Sequence, residues 1–165
     1  PAFISGSIAA DSLAEELERE TLTLLRVSPL SVSEIIDGKA IAMVGIAPAQ
    51  AGLWLLFLGL NGTAIANPLE ILVLVGALTG VLVVVGAALA FRIGVRREAQ
   101  LLYSLLALAL FGGSLLLPEN PPNLVAKLAI GSPTPVSHAS IVALAVASIG
   151  GYLLIRRWAS GQQFE

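Results

Sequence analysis

The stretch ILVLVGALTGVLVVVGAALAF, residues 71–91, contains no charged residue and decides the fold class. At about 1.5 Å per residue, a helix of this length reaches about 30 Å, which is the thickness of the hydrocarbon core of a bilayer. Its apolar residues occur on all sides, as is typical of a helix in lipid or in a buried bundle rather than of an amphipathic surface helix. We therefore predict that this stretch spans a membrane.

Three further stretches have the same character, at about residues 40–60, 99–117 and 137–155. The chain of 165 residues is 56% hydrophobic and 12% charged, which is about half the charged share of a soluble domain. The sequence contains no cysteine, which excludes disulfides, thiol catalysis and thiolate metal sites within it. The predicted fold is all-α: a polytopic transmembrane helical bundle with four full spans, forming a single domain over residues 1–165.

The basic residues predict the orientation of this bundle. Eight of the nine fall on one side of the predicted spans: Arg19, Arg26, Lys39, Arg92, Arg96, Arg97, Arg156 and Arg157. By the positive-inside rule this side is cytoplasmic, so we expect a multi-pass protein of the plasma membrane with its N-terminal loop and C-terminus inside. The outer loop at 118–137 has room for a short apolar helix at Leu124–Ile130. A net charge of −2 argues against a nucleic-acid partner, since phosphate neutralisation needs clustered basic residues.

The first ten residues, PAFISGSIAA, are apolar but too short to span a bilayer. They lack the basic region of a signal peptide. We interpret residues 1–10 as the end of a preceding span, which makes the chain a C-terminal fragment of a six-span protein. The alternative is a short interfacial helix at a processed start.

Residues 11–39 concentrate charges between two apolar regions. Leucines at helical spacing predict one helix, which Ser28-Pro29 ends because the residue before a proline is disfavoured in a helix. Ser31 and Glu34 fit a capping box for a second short helix, which Gly38 either ends or bends into the membrane. This cytoplasmic coupling loop is placed to receive a push from a soluble partner. The alternative is an amphipathic linker that only anchors at the interface.

The loop resembles the cytoplasmic loop of the permease subunits of type-2 ATP-binding-cassette (ABC) exporters. The resemblance is carried by Glu16-x-Glu18-Arg19-x-Thr21-Leu22-x-Leu24-Leu25, Ser28-Pro29-Leu30-Ser31, Glu34-Ile35-Ile36 and Gly38-Lys39. Many family members have a glycine where this chain has Glu20. By topology the resemblance extends over nearly the whole chain, and the four spans would be the last four of six helices.

The resemblance implies that the loop holds a coupling helix, which docks on an ABC ATPase subunit. The residues expected at this contact or in the turn back to the membrane are Glu16, Glu18, Arg19, Thr21, Leu22, Leu25, Ser28, Pro29, Glu34, Gly38 and Lys39, and none of them is catalytic. The implied partners are that ATPase, a second permease as homodimer or heterodimer, and membrane lipid. ATP and Mg would be bound by the ATPase, with no cofactor or metal in this chain.

Two rival functions are weighed on the residues. The only Gly-Lys pair, Gly38-Lys39, lacks the surrounding pattern of a P-loop, so ATP hydrolysis is not expected in this chain and we do not predict an enzyme. The segment EELER at 15–19 is superficially similar to the motif of membrane-embedded prenyl-protein proteases, but its arginine comes one residue early and the only histidine, His138, is predicted on the opposite side of the membrane. A non-transporting membrane scaffold remains the third hypothesis.

Within the spans, Gly76 and Gly80 form a small-residue motif that lets helices approach closely. It serves either packing within the chain or a permease dimer. Polar or amphipathic residues in the spans are candidates for a substrate path or for bonds to a neighbouring helix: Gln50, Trp54, Thr79, Ser104, Ser114 and Ser148.

Overall fold

The structure is a computed structural model that describes residues 2–18 and 32–161. These residues form six α-helices and no strand. The helices are α1 (Ala2–Glu18), α2 (Val32–Leu60), α3 (Pro68–Ile93), α4 (Arg96–Ser114), α5 (Pro121–Ile130) and α6 (Pro135–Gly161). The all-α prediction is confirmed for this part of the chain. The short apolar helix predicted at Leu124–Ile130 is confirmed as α5.

Three of these helices are long and apolar enough to cross a membrane, at Asp37–Leu60, Pro68–Ile93 and Pro135–Trp158. They correspond to the first, second and fourth predicted spans. The third, expected at about 99–117, coincides with α4, which begins with the polar sequence RREAQ and ends at Ser114. These polar residues lower the mean hydropathy of α4, so the prediction of four full spans is not confirmed.

The segment boundaries differ from the prediction at both ends of the charged loop. α1 continues without a break through residues 10 and 11, so the end of the preceding span and the start of the loop are one helix. α2 likewise begins at Val32 and continues through Gly38, so of the two alternatives given for Gly38, the one in which it ends a short helix is wrong. A glycine inside a helix costs only about 1 kcal/mol, which the contacts of its neighbours Asp37 and Lys39 can offset. The break predicted at Ser28-Pro29 lies outside the described residues.

Short, well-defined turns join the apolar helices. α3 begins at Pro68, whose fixed φ suits the first helical position. It ends at Ile93 and is followed by Gly94, which has φ 67° and donates its N–H to the carbonyl of Ala90. Only Gly94 and Val95 separate α3 from α4. α6 begins with reciprocal bonds, in which the N–H of Thr134 donates to Ser137 Oγ over 3.2 Å and the N–H of Ser137 donates to Thr134 Oγ1 over 3.1 Å.

The central element is α3, which packs against each of the other five described helices. Half of its span is buried inside the protein, compared with 11% for the span in α2 and 6% for that in α6. The long apolar stretch that predicts the fold class is therefore the core of the bundle. The outer faces of α2, α4 and α6 present large apolar side chains, as expected of a lipid-facing surface.

Small residues allow the other helices to approach α3 closely. A Cβ placed on Gly86 of α3 would lie 2.4 Å from the carbonyl oxygen of Gly6 in α1. On the other side of α3, a Cβ on Gly80 would lie 1.9 Å from Ser148 Oγ of α6, and one on Gly151 of α6 would lie 2.7 Å from a methyl of Val84. Helices in lipid associate through such close packing because no hydrophobic effect drives them together.

The short helix α5 is held against α3 and α6 by apolar contacts and is capped at its own N-terminus. Leu124 and Leu128 are buried in a cluster with Ile71, Leu74 and Ile141. The side chain of Asn120 accepts a hydrogen bond from the N–H of Asn123 over 2.8 Å and so caps the helix.

The carboxylate of Glu119, which lies just before α5, connects α5 to the start of α6. Glu119 accepts hydrogen bonds from Lys127 of α5, from Ser137 Oγ over 3.1 Å and from Thr134 Oγ1 over 3.3 Å. The hydrogen bond from Lys127, followed by those from the two hydroxyls, lowers the pKa of Glu119 below its usual value. The carboxylate form is thus the one that the folded protein stabilises.

Replacing Gly86 by alanine should destabilise the bundle. The added methyl overlaps the backbone of α1, and overpacking of this kind costs about 1–3 kcal/mol, so we expect the melting temperature in detergent to fall by several degrees. The matched control is Gly150→Ala in α6, where a Cβ would meet nothing within 4 Å. An unchanged melting temperature for Gly86→Ala would contradict the close approach of α1 and α3.

The Glu119 network should lose its contribution to stability in acid. Because the folded-state pKa is lowered, the contribution is complete above the unfolded-state pKa of about 4.3 and is lost as the pH falls through the folded-state value. The difference in melting temperature between the wild type and Glu119→Gln should therefore be largest above pH 5 and shrink towards pH 3. A difference that grows in acid would show that the pKa is not lowered.

Candidate functional site

The residues that flank the charged loop are joined by ion pairs and hydrogen bonds at one end of the bundle. At this end α1, α3 and α6 finish and α2 and α4 begin. We call the following set the polar collar: Asp11, Ser12 and Glu15 of α1, Asp37 and Lys39 of α2, Arg96 of α4, and Tyr152 and Arg156 of α6.

On one side of the polar collar, α1 is bound to the start of α4. Arg96 binds Asp11 with two nitrogens, and the bond from Nη2 to Asp11 Oδ2 is 2.7 Å. Its Nη1 also lies 3.4 Å from Glu15 Oε2, one helical turn further along α1. A two-pronged guanidinium–carboxylate pair fixes orientation as well as distance. Arg96 is nearly half exposed, so the pair contributes only about 1 kcal/mol to stability, and its larger effect is on geometry.

On the other side, α2 is bound to the end of α6. The hydroxyl of Tyr152 donates to Asp37 Oδ1, and Arg156 Nη2 lies 3.2 Å from Asp37 Oδ2. Asp37 is the first residue of the apolar span in α2. Its two partners therefore hold the point at which α2 enters the span.

A third contact joins the two helices that flank the loop. Lys39 Nζ of α2 donates to Ser12 Oγ of α1 over 2.8 Å. Each flanking helix is thus bound to its counterpart and also to a more distant helix. A displacement of the loop cannot move α1 or α2 alone without breaking these contacts.

Five of the eleven coupling residues suggested by the resemblance belong to the described helices. Glu16 and Glu18 belong to the last turn of α1 and Glu34 to the first turn of α2, while Gly38 and Lys39 lie within α2. The remaining six lie outside the described residues: Arg19, Thr21, Leu22, Leu25, Ser28 and Pro29.

Sequence reasoning did not single out the pairing of Asp11 with Arg96, or of Asp37 with Arg156 and Tyr152. A usable signal was present, because Asp11 follows one apolar stretch and Asp37 precedes another, on the same predicted side as Arg96 and Arg156. The sequence did not indicate which aspartate pairs with which arginine, because each of these charges had several oppositely charged residues on the same predicted side of the membrane.

The polar residues considered for a substrate path are not brought together. Thr79 is buried and donates to its own helix at the carbonyl of Val75 over 2.6 Å. Ser104 and Ser114 also donate to carbonyls of their own helix, at distances of 2.9 and 2.7 Å. Gln50 and Trp54 lie on the exposed surface of α2. Among the described residues these five share no common cavity.

The small-residue motif in α3 contacts other helices of the same chain. A Cβ on Gly76 would lie 3.5 Å from Pro48 of α2, at ordinary packing distance, and Gly80 faces Ser148 of α6. The two glycines therefore serve two different neighbours. Within residues 2–18 and 32–161, no three His, Cys, Asp or Glu side chains group to hold a metal ion.

Comparison with known proteins identifies the family. The family model described as ABC-2 family transporter protein matches residues 1–155, which is nearly the whole chain. No curated protein and no solved structure gives a significant match.

Removing the guanidinium that binds α1 to α4 should loosen this end of the bundle. Arg96→Ala leaves Asp11 and Glu15 without that partner, and we expect a loss of about 1 kcal/mol, seen as a lower melting temperature. Arg97→Ala, at an exposed neighbouring arginine, is the matched control and should have little effect. Exchanging the charges in Asp11→Arg with Arg96→Asp should recover part of what either single change loses, and no recovery would argue that the pair is incidental.

Proposed function

Because this chain belongs to the ABC-2 family of transporter proteins, we propose that it is the permease subunit of an ABC exporter driven by a separate ATPase subunit. The segment between α1 and α2 is the part that the ATPase would move. ATP and Mg would be held by the ATPase, and this chain would supply the path through the membrane. Family membership supports a transport subunit rather than an enzyme.

The observation that carries the mechanism is the cross-bracing of the two helices that flank the loop. α1 is bound to α4 through Arg96, and α2 is bound to α6 through Asp37. A displacement of the loop would therefore act on α1, α2, α4 and α6 together, because the ion pairs and hydrogen bonds between them oppose a change in their separation. An anchor that only held the loop at the interface would need no such connections to α4 and α6.

The central position of α3 fits the same mechanism. α1 and α6 both touch α3 at glycines: the backbone of α1 lies against Gly86, and the side chain of Ser148 in α6 lies against Gly80. This close packing opposes independent sliding of the helices. Movement of the polar collar would thus tilt helices about α3 rather than separate them from it. We propose that this tilting opens and closes a path between this permease and a second one, as homodimer or heterodimer, in the plasma membrane with the loop and the C-terminus cytoplasmic.

Reversing the charges of Glu18 and Arg19 should uncouple the ATPase. We expect Glu18→Lys combined with Arg19→Glu in the full-length protein to release the copurifying ATPase or to lower its stimulation by the permease. The matched control is Arg97→Glu combined with Glu98→Lys, which reverses an adjacent exposed pair on α4. ATPase copurification and ATP hydrolysis rate are the measurements.

The outcomes of this experiment separate docking from transmission. Arg96→Ala in the same assay should keep the ATPase bound but lower its stimulation, because the loop can still dock while α4 no longer follows α1. Wild type that binds no ATPase would overturn the proposed function and leave a membrane scaffold as the better explanation. Equal effects of the two charge reversals would overturn the role assigned to Glu18 and Arg19.

A further inference from the structure

We infer that Glu70 and His138 form a proton-binding site, which joins the start of α3 to the start of α6. Glu70 belongs to the first turn of α3, and His138 is the only histidine of the sequence. Nε2 of His138 lies 3.3 Å from Glu70 Oε2, at ion-pair distance. Both residues lie at the end of the bundle remote from the polar collar, and the function proposed above uses neither of them.

The imidazole of His138 lies between two oxygen atoms. Its Nδ1 is 3.0 Å from the carbonyl oxygen of Thr134, while its Nε2 faces Glu70. A carbonyl oxygen and an ionised carboxylate are both acceptors, whereas a neutral imidazole has only one N–H. A neutral ring can therefore satisfy one of these oxygens, and it turns a lone pair towards the other. Only a ring that carries two protons satisfies both.

The oxygen of Glu70 that faces the ring has no donor elsewhere. Glu70 Oε2 is buried and accepts no hydrogen bond from the described residues, although the side chain as a whole is 39% exposed. A buried carboxylate oxygen without a partner is costly, and a second proton on His138 offsets this cost. A carboxyl group ordinarily loses its proton at a pH about two units lower than an imidazolium does, so the bound proton resides on the ring.

Few other charges act on this pair. The other charged side chains at this end of the described helices are Glu119 and Lys127, which pair with each other. Residues 40–69, which include the end of α2, and residues 99–118, which include the end of α4, contain no charged residue. The start of α6 disfavours a cation, because a helix N-terminus carries a partial positive charge. Glu70 is therefore the carboxylate that stabilises the imidazolium.

Protonation of the pair affects how α6 is held against α3. Gly80 and Gly151 give these helices a close contact that does not depend on pH, and the ion pair adds one that exists only while the ring is charged. Because the charge of a histidine ordinarily changes between pH 5 and 8, mild acid forms this second contact and mild alkali removes it. His138 is half exposed, so its proton exchanges with the solution on the predicted outer side.

The protonation of His138 can be measured by its reaction with diethyl pyrocarbonate, which acylates an unprotonated ring nitrogen. The full-length protein is treated at several pH values between about 6 and 8.5, and the peptide that contains His138 is followed by mass spectrometry. Glu70→Gln removes the need for a second proton, since its NH₂ can donate to Nε2. We expect the wild type to react about two- to fivefold more slowly than Glu70→Gln near pH 6, as half-exposed ion pairs allow, and the two rates to converge above pH 8. Glu98→Gln, in the first turn of α4, is the matched control and should react like the wild type.

A second measurement addresses the contact between the helices. At about pH 5.5 the melting temperature of the wild type in detergent should exceed that of Glu70→Gln by about 1–3 °C. The difference should shrink towards pH 8, because the ion pair is complete in mild acid and is lost as the ring gives up its proton. In a His138→Gln background, Glu70→Gln should change the melting temperature equally at both pH values.

Each other outcome counts against the inference. Equal acylation of the wild type and Glu70→Gln near pH 6 would show that Glu70 does not hold a proton on the ring. Slower acylation of the wild type that persists at pH 8.5 would show that the ring is only shielded from the reagent. A difference in melting temperature that is the same at pH 5.5 and pH 8 would assign the contact to packing. None of these measurements involves the ATPase, so such results would leave the proposed function unchanged.

Discussion

The close approach of α1 and α6 to α3 is the constraint on which the rest of the structure depends. Lipid offers no hydrophobic effect to hold apolar helices together, so the bundle relies on close packing and on satisfied polar groups. At Gly86 the backbone of α1 lies where any side chain would intrude, and at Gly80 a serine of α6 takes the corresponding space. The two neighbours occupy different sides of α3. This explains why α3 alone has half its span buried while α2 and α6 leave most of theirs exposed.

Polar contacts at the two ends of the bundle add to the helix association that the glycines allow. At one end the polar collar binds the flanks of the charged loop to α4 and α6; at the other, Glu119 binds α5 to the start of α6. Between these ends, the hydroxyl of Thr79 is satisfied within its own helix.

The sequence was sufficient for the fold class and for most helix positions, because long apolar stretches and turn residues such as Gly94 are local signals. It was insufficient where a boundary depends on tertiary contacts. The helix through Gly38 continues because Asp37 and Lys39 are held by α6 and α1, which no local pattern expresses. In α4 only a narrow strip is buried, formed by Ala99, Tyr103 and Ala107. The other positions of its first turn can therefore be polar, which the apolar character of residues 99–117 did not predict. Of the candidate site, the sequence predicted the region and the charges but not the pairs.

Because only two residues connect α3 to α4, the ion pair of Arg96 also affects the position of α3. Gly94 and Val95 can extend over only about 7 Å, so the end of α3 and the first turn of α4 cannot part. Arg96 stands at the first position after this connection, where it holds α1. The connection between α3 and α4 is therefore too short to act as a hinge. A shift of α1 would move α4 through Arg96, and α3 would have to move together with α4.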